Sequence, residues 1–543
     1  MSPLKGSASG LCVNHRLATY SHLLSSFLLQ QMTVKDVVKL LDLPTEVLEQ
    51  ILAYLDPESL LTLGKVNHFF NHLALRDFFG PSVHHIQMNK IVPPYPHPED
   101  LLLSGLCIAL WLDNVAELEQ RIVGDIHQSI WQFCKLITFV KRLHSLKSLI
   151  LRISIVLPCW GWREYRLEGD LFVAELHRLM EIAVEKGCEN LHIEGNSIPH
   201  CRLSAAGIRQ LRSTQTITKR AWKWMKNRVP SFCIKTTDPL SHTTPDMAAS
   251  PTPSRSPTPR IATCVLHRPA LLGTTALPYI GHLLKCNAET ITLLDMNCFG
   301  LTRSYWKARA LSLALFDSIH LPNLSKLALI IQVSTIPSNS FAWFLARHSG
   351  ISYLKITDPS NLPHHPSRLV LSKRHPFSLP YLKTIDLPAR VAEWLFVSMN
   401  PTVTHSLESV RVHAHSCMDV LARLGDAIRV LRRQKDYVDT LILDAYWRSY
   451  GDDLLHGGWD KLSEQDESCL LDVRKLVLVY GEPFFCQSTF PVRLVGMFAR
   501  VVKLFPSVTE LEIKDREHED FRDATGMRER IMEECPTLLS VQC

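Results

Sequence analysis

A spaced pattern of apolar residues recurs along much of this chain and constrains its fold more than any other feature. In each copy, two residues separate the first apolar position from the second, and one residue separates the second from the third. This short pattern is typical of a β-strand that presents alternate side chains to a core. The clear copies are Leu146, Leu149, Leu151; Leu324, Leu327, Leu329; Ile351, Leu354, Ile356; Leu382, Ile385, Leu387; Leu407, Val410, Val412; Val438, Leu441, Leu443; Val473, Leu476, Leu478; and Val508, Leu511, Ile513. Weaker copies end at Ile193, Leu293 and Val541.

The spacing of these copies argues against chance. From Leu293 onward, successive copies lie about 25–36 residues apart, which is the period of a repeat made of one strand and one helix. The predicted helices span residues 305–319, 341–348, 390–399, 418–433, 492–505 and 521–534. Tandem units of this kind stack their strands into a parallel sheet and form a solenoid. A single α/β domain with short buried strands is the alternative.

Strand alternation divides the repeated positions between two faces. The second and third apolar positions of each copy, such as Leu354 and Ile356, are expected to be buried beneath the helices. The residues between them are expected to face the opposite, concave side, and they are Ala328, Lys355, Asp386, Arg411, Ile442, Val477 and Glu512. This row mixes charged and apolar groups, as a protein-binding surface does. The candidate residues for binding a protein target are Lys355, Asp386, Arg411 and Glu512.

A dense helical block precedes the repeats. Pro44 suits a first helical turn, and the apolar residues after it form a stripe about 160° wide, broader than a core-facing helix needs. Asp56 is a candidate N-cap for a second helix, with Pro57 at its first position. Three short helices in so few residues cannot build a sufficient core alone, so the surplus apolar surface indicates a partner protein. A helix bundle that packs on its own chain is the alternative.

The order of residues in this block resembles an F-box. Residues 43–57 read LPTEVLEQILAYLDP and resemble its first half, and residues 60–70 read LLTLGKVNHFF and resemble its second half. The resemblance implies that the block binds a Skp-family adaptor. The family often has tryptophan where Phe70 stands, so the aromatic volume is kept here and the indole N–H is lost. By position, the adaptor-binding residues are Leu43, Pro44, Val47, Leu48, Ile51, Leu52, Leu55, Leu60, Leu63, Val66 and Phe70.

The repeated units resemble the leucine-rich-repeat region of F-box proteins. Regular repeats continue to an asparagine whose side chain satisfies the backbone of the turn, and only the copy that ends at Ile193 does so here, at Asn196. An irregular array is therefore expected. The predicted fold class is α/β, with an N-terminal helical F-box followed by an irregular leucine-rich-repeat-like solenoid of strand-helix units.

The 543 residues are too many for one compact core, and composition suggests the boundaries. We predict a disordered tail at residues 1–35, the F-box at 36–80, and a linker with the first repeat-like units at 81–235. A disordered Ser/Thr/Pro-rich loop follows at 236–262, and the solenoid occupies 263–543. The loop has almost no large apolar side chain, so it cannot offset the entropy of the chain. Thr244, Thr252, Ser256 and Thr258 each precede proline, and their proline-directed phosphorylation is a hypothesis.

No motif for nucleotide binding, hydrolysis or phosphoryl transfer is readable, so no enzyme activity, catalytic residue, cofactor or metal site is predicted. His413, His415 and Cys417 form an H-x-H-x-C cluster without an identified fourth ligand, and solvated or core residues are the favoured interpretation. Residues 219–228 interleave cations with tryptophans, and a solvated helix is favoured there. The net charge of +6 is small for this length and indicates no nucleic-acid partner.

These features predict a substrate-receptor subunit of a Skp–cullin–F-box ubiquitin ligase. The F-box would recruit the adaptor and cullin, and the body would hold an unidentified protein substrate. One alternative is an F-box scaffold that binds the adaptor without delivering a substrate, and another is an enzyme with an unrecognised active site. The 15 cysteines include no CxxC pair, which indicates a reducing compartment, the cytoplasm or the nucleus. No membrane partner is expected.

Overall fold

The structure of the chain is a computed structural model. It describes residues 42–80, 89–91, 99–155, 166–195, 260–267, 277–298, 311–332, 338–358, 377–399, 407–414, 437–445, 472–480, 490–503, 505–515 and 524–542. The chain divides into two compact units. The first unit comprises Met1–Gln120 and Trp131–Leu146, and the second comprises Arg121–Ile130 and Lys147–Cys543.

Helices dominate the described part of the first unit. The first four are α1 (Thr45–Leu52), α2 (Pro57–Leu63), α3 (His68–Phe79) and α4 (Glu99–Ile108). Capping residues determine where α2 and α3 begin, and the sequence predicts the cap of α2. Asp56 caps α2 by accepting a hydrogen bond of 2.8 Å from the Ser59 N–H, and Pro57 follows at the first helical position. Asn67 caps α3 in the same way, through the Phe70 N–H at 2.9 Å.

The next elements along the chain are β1 (Lys90–Ile91), β2 (Asn114–Gly124), α5 (Ile126–Arg142) and β3 (Ser145–Ile155). Strands β1 and β2 pair in parallel, with Ile91 opposite Leu118. Arg142, in the last turn of α5, donates hydrogen bonds to the carbonyl oxygens of Leu106, Cys107 and Ala109. These carbonyls belong to the end of α4, so the guanidinium group satisfies acceptors that have no partner within that helix.

The second unit alternates strands and helices. Its remaining strands are β4 (Asn190–Gly195), β5 (Thr263–Leu266), β6 (Leu293–Asn297), β7 (Lys326–Ile330), β8 (Tyr353–Thr357), β9 (Thr384–Pro388), β10 (Ser409–Ala414), β11 (Tyr437–Ala445), β12 (Asp472–Tyr480), β13 (Glu510–Asp515) and β14 (Ser540–Gln542). Its described helices are α6 (Arg166–Glu185), α7 (Leu277–Cys286), α8 (Ser338–Arg347), α9 (Ala389–Ser398), α10 (Phe490–Lys503) and α11 (Ala524–Glu534), with a short π-helix at Ser312–Phe316. From β3 to β14, each strand pairs in parallel with the next one along the chain.

The predicted register of the repeated positions is confirmed. Leu327 lies opposite Leu354, Leu354 opposite Ile385, and this alignment continues through Val410, Leu441, Leu476 and Leu511. All of these second positions, and the third positions from Leu329 to Ile513, are at most 4% exposed. The residues between them form a second row in register on the other face of the sheet, from Ala328 and Lys355 to Glu512. The mixed α/β prediction, with helices first and a parallel sheet after them, is therefore confirmed.

Two weaker copies of the pattern were aligned incorrectly. At β6 the buried residues are Ile291, just before the strand, and Leu294 and Met296 within it, so this copy ends at Met296 and not at Leu293. In β14, Val541 pairs with Leu511, so it occupies the second apolar position of its copy and not the last. Strand β5 was not predicted, because a cysteine, Cys264, occupies its second apolar position. This side chain is fully buried.

Several predictions concern residues outside the described ranges. They are the tail at 1–35, the loop from 236 to 259, the cationic tryptophan segment at 219–228, the helix at 418–433, and His415 with Cys417. Four predicted helices, beginning near residues 341, 390, 492 and 521, are confirmed as α8 to α11 with ends shifted by up to three residues.

None of the helices in the described ranges is both long enough and apolar enough to cross a membrane.

Candidate functional site

Helix α1 has two apolar faces. Leu48 and Leu52 are each 2% exposed and pack into the first unit. Val47 and Ile51 are 39% and 41% exposed, and Tyr54, in the turn that follows the helix, is 90% exposed. Residues spaced by three or four positions share a side of a helix, so Leu48 with Leu52 and Val47 with Ile51 form separate stripes. The unusual width of the predicted apolar stripe therefore reflects one buried and one exposed face.

The predicted adaptor-binding residues accordingly fall into three groups. Leu48, Leu52, Leu60 and Phe70 are buried within the unit, where their side chains stabilise the helix packing. Leu55 and Leu63 are half-buried. The exposed members are Leu43, Pro44, Val47, Ile51 and Val66. Because Phe70 is 1% exposed, its place in the packing needs the aromatic volume and no indole N–H.

Two exposed aromatic residues of the same helical block were not among the predicted site residues. Phe69 is 43% exposed and contacts Phe70 edge-on, with ring centroids 5.5 Å apart. Tyr54 is the most exposed large apolar side chain of the block. The spacing of Tyr54 from Val47 and Ile51 is a sequence signal that could have found it. Together, Leu43, Val47, Ile51, Tyr54, Val66 and Phe69 are called here the exposed apolar set.

Buried polar contacts hold the helices of the first unit in place. The Asn71 side chain, 2% exposed, donates to the carbonyl oxygens of Gly64 at 2.7 Å and Ile108 at 2.6 Å. It also accepts from the Leu110 N–H at 3.0 Å. One amide group therefore connects the end of α2, the start of α3 and the end of α4. Glu49 of α1 forms an ion pair with Arg76 of α3.

The row of residues from Ala328 to Glu512 is called here the polar row of the second unit. Three of its charged members belong to an ion-pair network across the four neighbouring strands β8 to β11. Lys355 Nζ lies 3.6 Å from Asp386 Oδ2. Arg411 bridges two carboxylates, with Nε 3.9 Å from Asp386 Oδ1 and Nη2 2.5 Å from Asp444 Oδ2. His413 Nδ1 lies 3.5 Å from Asp386 Oδ1. The parallel register places Asp386 beside both Lys355 and Arg411, and His413 beside Asp444.

Burial affects the pKa values of the carboxylates on this row. The side chains of Asp386 and Asp444 are only 11% and 4% exposed. Burial raises the pKa of Asp386, although Arg411 and Lys355 oppose that change by stabilising the carboxylate. Glu512 lies farther along the row, between Lys475 at 2.8 Å and Lys514 at 2.7 Å. Burial alone would raise the pKa of Glu512, but the hydrogen bonds from these two lysines outweigh it, and its pKa is lowered.

The prediction that the residues of this row are exposed is wrong at two positions. Asp386 is 8% exposed and Val477 is 4% exposed, so neither side chain offers much surface. Lys355, Arg411 and Glu512 keep part of their surface exposed, but each is already paired. Their substitution will therefore affect stability as well as binding. Asp444 and His413 belong to the network and were missed, because they lie two residues beyond the predicted row on β11 and β10.

The comparison with known protein families concerns the first unit. No curated protein matches the chain. Residues 40–79 match the sequence model of the F-box-like family. That segment contains α1, α2 and α3, with the two-faced α1 and the whole exposed apolar set. Residues 40–79 of this chain are therefore an F-box-like domain.

Proposed function

We propose that this chain is the substrate-receptor subunit of a Skp–cullin–F-box ubiquitin ligase. In this proposal the F-box-like domain binds a Skp-family adaptor, the adaptor connects the chain to a cullin, and the second unit holds a protein target. Other subunits carry out ubiquitin transfer, so the chain itself is not an enzyme. We place it in the cytoplasm or nucleus, in keeping with that role.

The observation that carries the proposal is the exposed apolar set within the matched segment. Val47 and Ile51 keep about two fifths of their surface exposed although neighbouring residues on the same helix are buried. Fully burying such a side chain stabilises a complex by about 1.5–3 kcal/mol, so the remaining exposed area of each offers roughly 1 kcal/mol to a partner. An amphipathic helix that presents such a stripe is a common way to fill a groove in another protein.

The second unit suits target binding through its repeated design. We take its strands and helices as an irregular leucine-rich-repeat-like solenoid, in which every unit adds one residue to the polar row. The partly exposed side chains of Lys355, Arg411 and Glu512 lie on this row. Their fixed spacing and alternating charge favour a protein target with complementary charges, because charged interfaces contribute to specificity more than to affinity.

A capture experiment with purified Skp-family adaptor tests the first step. The full chain should retain the adaptor. Ile51→Asp should abolish capture, because a carboxylate would be buried at the contact without a partner. The double variant Leu43→Ala with Pro44→Ala removes exposed side chains at the entrance to α1 and should also lose the adaptor. Gln50→Asp is the matched control, since it introduces the same charge at an exposed polar position of the same helix.

Undiminished capture by Ile51→Asp and by the double variant would refute the adaptor-binding role. Equal loss with Gln50→Asp would attribute the effect to charge on α1 and count against the exposed apolar set. Circular dichroism and urea denaturation of each variant establish that the second unit stays folded.

A second arm separates the ligase from a scaffold. The adaptor-bound chain should also retain a cullin and support ubiquitin transfer in a reconstituted reaction. If it binds the adaptor and no cullin, the scaffold function replaces the ligase proposal. Affinity purification with wild-type and Ile51→Asp baits should then identify targets, because proteins held by the second unit remain bound to both baits while ligase subunits are lost from the variant.

A further inference from the structure

Three side chains that could hold a metal ion, His192, Glu194 and His267, lie together on the polar face of β4 and at the end of β5. Strand alternation places His192 and Glu194 on one side of β4, because Leu191 and Ile193 between and beside them are buried. The backbone N–H of His267 donates to the Ile193 carbonyl at 2.9 Å, so His267 continues β5 beside Glu194.

The donor atoms are close enough for one ion. His192 Nε2 lies 2.9 Å from Glu194 Oε1, and one ligand atom from each of His192, Glu194 and His267 lies within 4.8 Å of the others. Asp295 on β6 adds a second carboxylate, with Oδ1 2.7 Å from His267 Nε2. Bonds of about 2.0–2.1 Å to a tetrahedral Zn²⁺ place neighbouring donors roughly 3.3 Å apart, within the 4.8 Å that bounds the donor atoms of His192, Glu194 and His267.

The orientation of the imidazoles supports a shared ion. The Nε2 atoms of His192 and His267 are both enclosed. The Nε2 atom of His192 lies 2.9 Å from Glu194 Oε1 without an aligned hydrogen bond among the described residues, and donors around a common cation need no such alignment. The Nε2 atom of His267 interacts with the Asp295 carboxylate, whose Oδ1 lies 2.7 Å away.

The charges nearby leave the proposed ligand oxygen available. Arg152 on β3 approaches the other oxygen of Glu194, with Nε 3.9 Å from Oε2, so Oε1 remains on the imidazole side. Two carboxylates balance a divalent cation, and the four side chains are between 26% and 40% exposed. An ion can therefore reach the cluster from solvent.

We propose that His192, Glu194 and His267 bind one divalent transition-metal ion of the zinc class, with Asp295 beside His267. Two imidazole nitrogens and a carboxylate oxygen are ligands that Zn²⁺ accepts, whereas Ca²⁺ and Mg²⁺ prefer oxygen ligands alone. The ion would join β4 to the end of β5 on their polar face. This function is separate from adaptor binding by the first unit.

The test uses the full chain, stripped of metal by a chelator and dialysed. Zn²⁺ is titrated in competition with a chromophoric chelator, and Co²⁺ is followed by its visible absorption, which is intense in tetrahedral sites. We expect one tight Zn²⁺ per chain and a tetrahedral Co²⁺ band. Both should disappear in the double variant His192→Ala with His267→Ala. Glu194→Gln, which keeps the shape of the side chain, should weaken Zn²⁺ binding at least about tenfold.

His144→Ala is the matched control. His144 also lies near a carboxylate, that of Asp113 at 4.0 Å, but both side chains are exposed and His144 is not part of the candidate metal site. This variant should bind Zn²⁺ as the wild type does. Equal Zn²⁺ stoichiometry and affinity in the wild type and the double variant would overturn the proposal. A wild type that binds no tight Zn²⁺ would overturn it as well. If the double variant fails to fold, unchanged Zn²⁺ affinity in Glu194→Gln and Asp295→Asn would equally overturn the proposal.

Discussion

Replacing His348 by glutamine should change how the stability of the second unit depends on pH. His348 follows α8 and is 1% exposed. Its Nε2 accepts a hydrogen bond of 2.8 Å from the Leu321 N–H, and its Nδ1 lies 2.6 Å from the Phe344 carbonyl oxygen, to which it donates. An imidazole that accepts at one nitrogen and donates at the other must be neutral. Protonation would break the hydrogen bond from Leu321.

The size of the effect follows from the pKa of this group. Burial lowers the pKa of His348 from 6.5 to about 4; the hydrogen bond to the Phe344 carbonyl opposes this change, and His320 and Arg347 add to it. The native state therefore binds the proton more weakly than the unfolded chain. The stability that His348 contributes is fully present above pH 6.5 and is lost as the pH falls from 6.5 toward 4. Linkage gives a loss of about 2 kcal/mol between pH 7 and pH 5.

His348→Gln removes the titrating group and keeps a side-chain oxygen that can accept from Leu321. The free energy of unfolding is measured by urea denaturation, with tryptophan fluorescence, at pH 7, 6 and 5 for both proteins. The variant should gain about 2 kcal/mol relative to the wild type between pH 7 and pH 5. Some pH dependence will remain, because burial also lowers the pKa of His177 to about 4. Parallel curves for the two proteins would refute the reasoning, and His144→Gln, with its 76% exposed side chain, is the control.

Three further substitutions should separate the other interactions. Arg411→Met leaves Asp386 and Asp444 without their shared cation and should cost about 1–3 kcal/mol in urea denaturation, the cost of unsatisfied buried acceptors. Leu441→Ala leaves a cavity in place of a fully buried side chain and should cost about 2–5 kcal/mol in the same assay. Asn71→Ala removes three hydrogen bonds between helices and should increase protease cleavage within residues 64–110, together with a loss of adaptor capture.

Exposed positions provide the matched controls for these substitutions. Lys383→Met breaks an ion pair with Glu408 whose side chains are both more than half exposed, so it should change stability by less than about 1 kcal/mol. Tyr381→Ala removes a side chain that is 65% exposed and should cost far less than Leu441→Ala. If these controls cost as much as the buried substitutions, burial does not determine the stability of this sheet.

Much of the architecture could be predicted from the sequence because it depends on local patterns. Alternation along each strand determines which side chains are buried, and a repeated triplet brings Leu354, Ile385 and Leu441 to equivalent positions. Capping is equally local, since Asp56 reaches the Ser59 N–H three residues away. The pattern failed where residue type disguised it, as at Cys264, which is chemically ambiguous but packs as a small apolar residue.

The sequence by itself thus determined the register of the strands from β7 to β13 and the position of the F-box-like block. Only the tertiary structure decided which residues of an apolar stripe are buried and which stay exposed. In α1, packing against its own unit buries Leu48 and leaves Ile51 exposed, although both are aliphatic. The pairing of Arg411 with Asp444 and the approach of His192 to His267 were also undecided, because these partners are far apart in the chain. Parallel strand pairing brings such residues together, and the distances between their side chains depend on packing that no local pattern encodes.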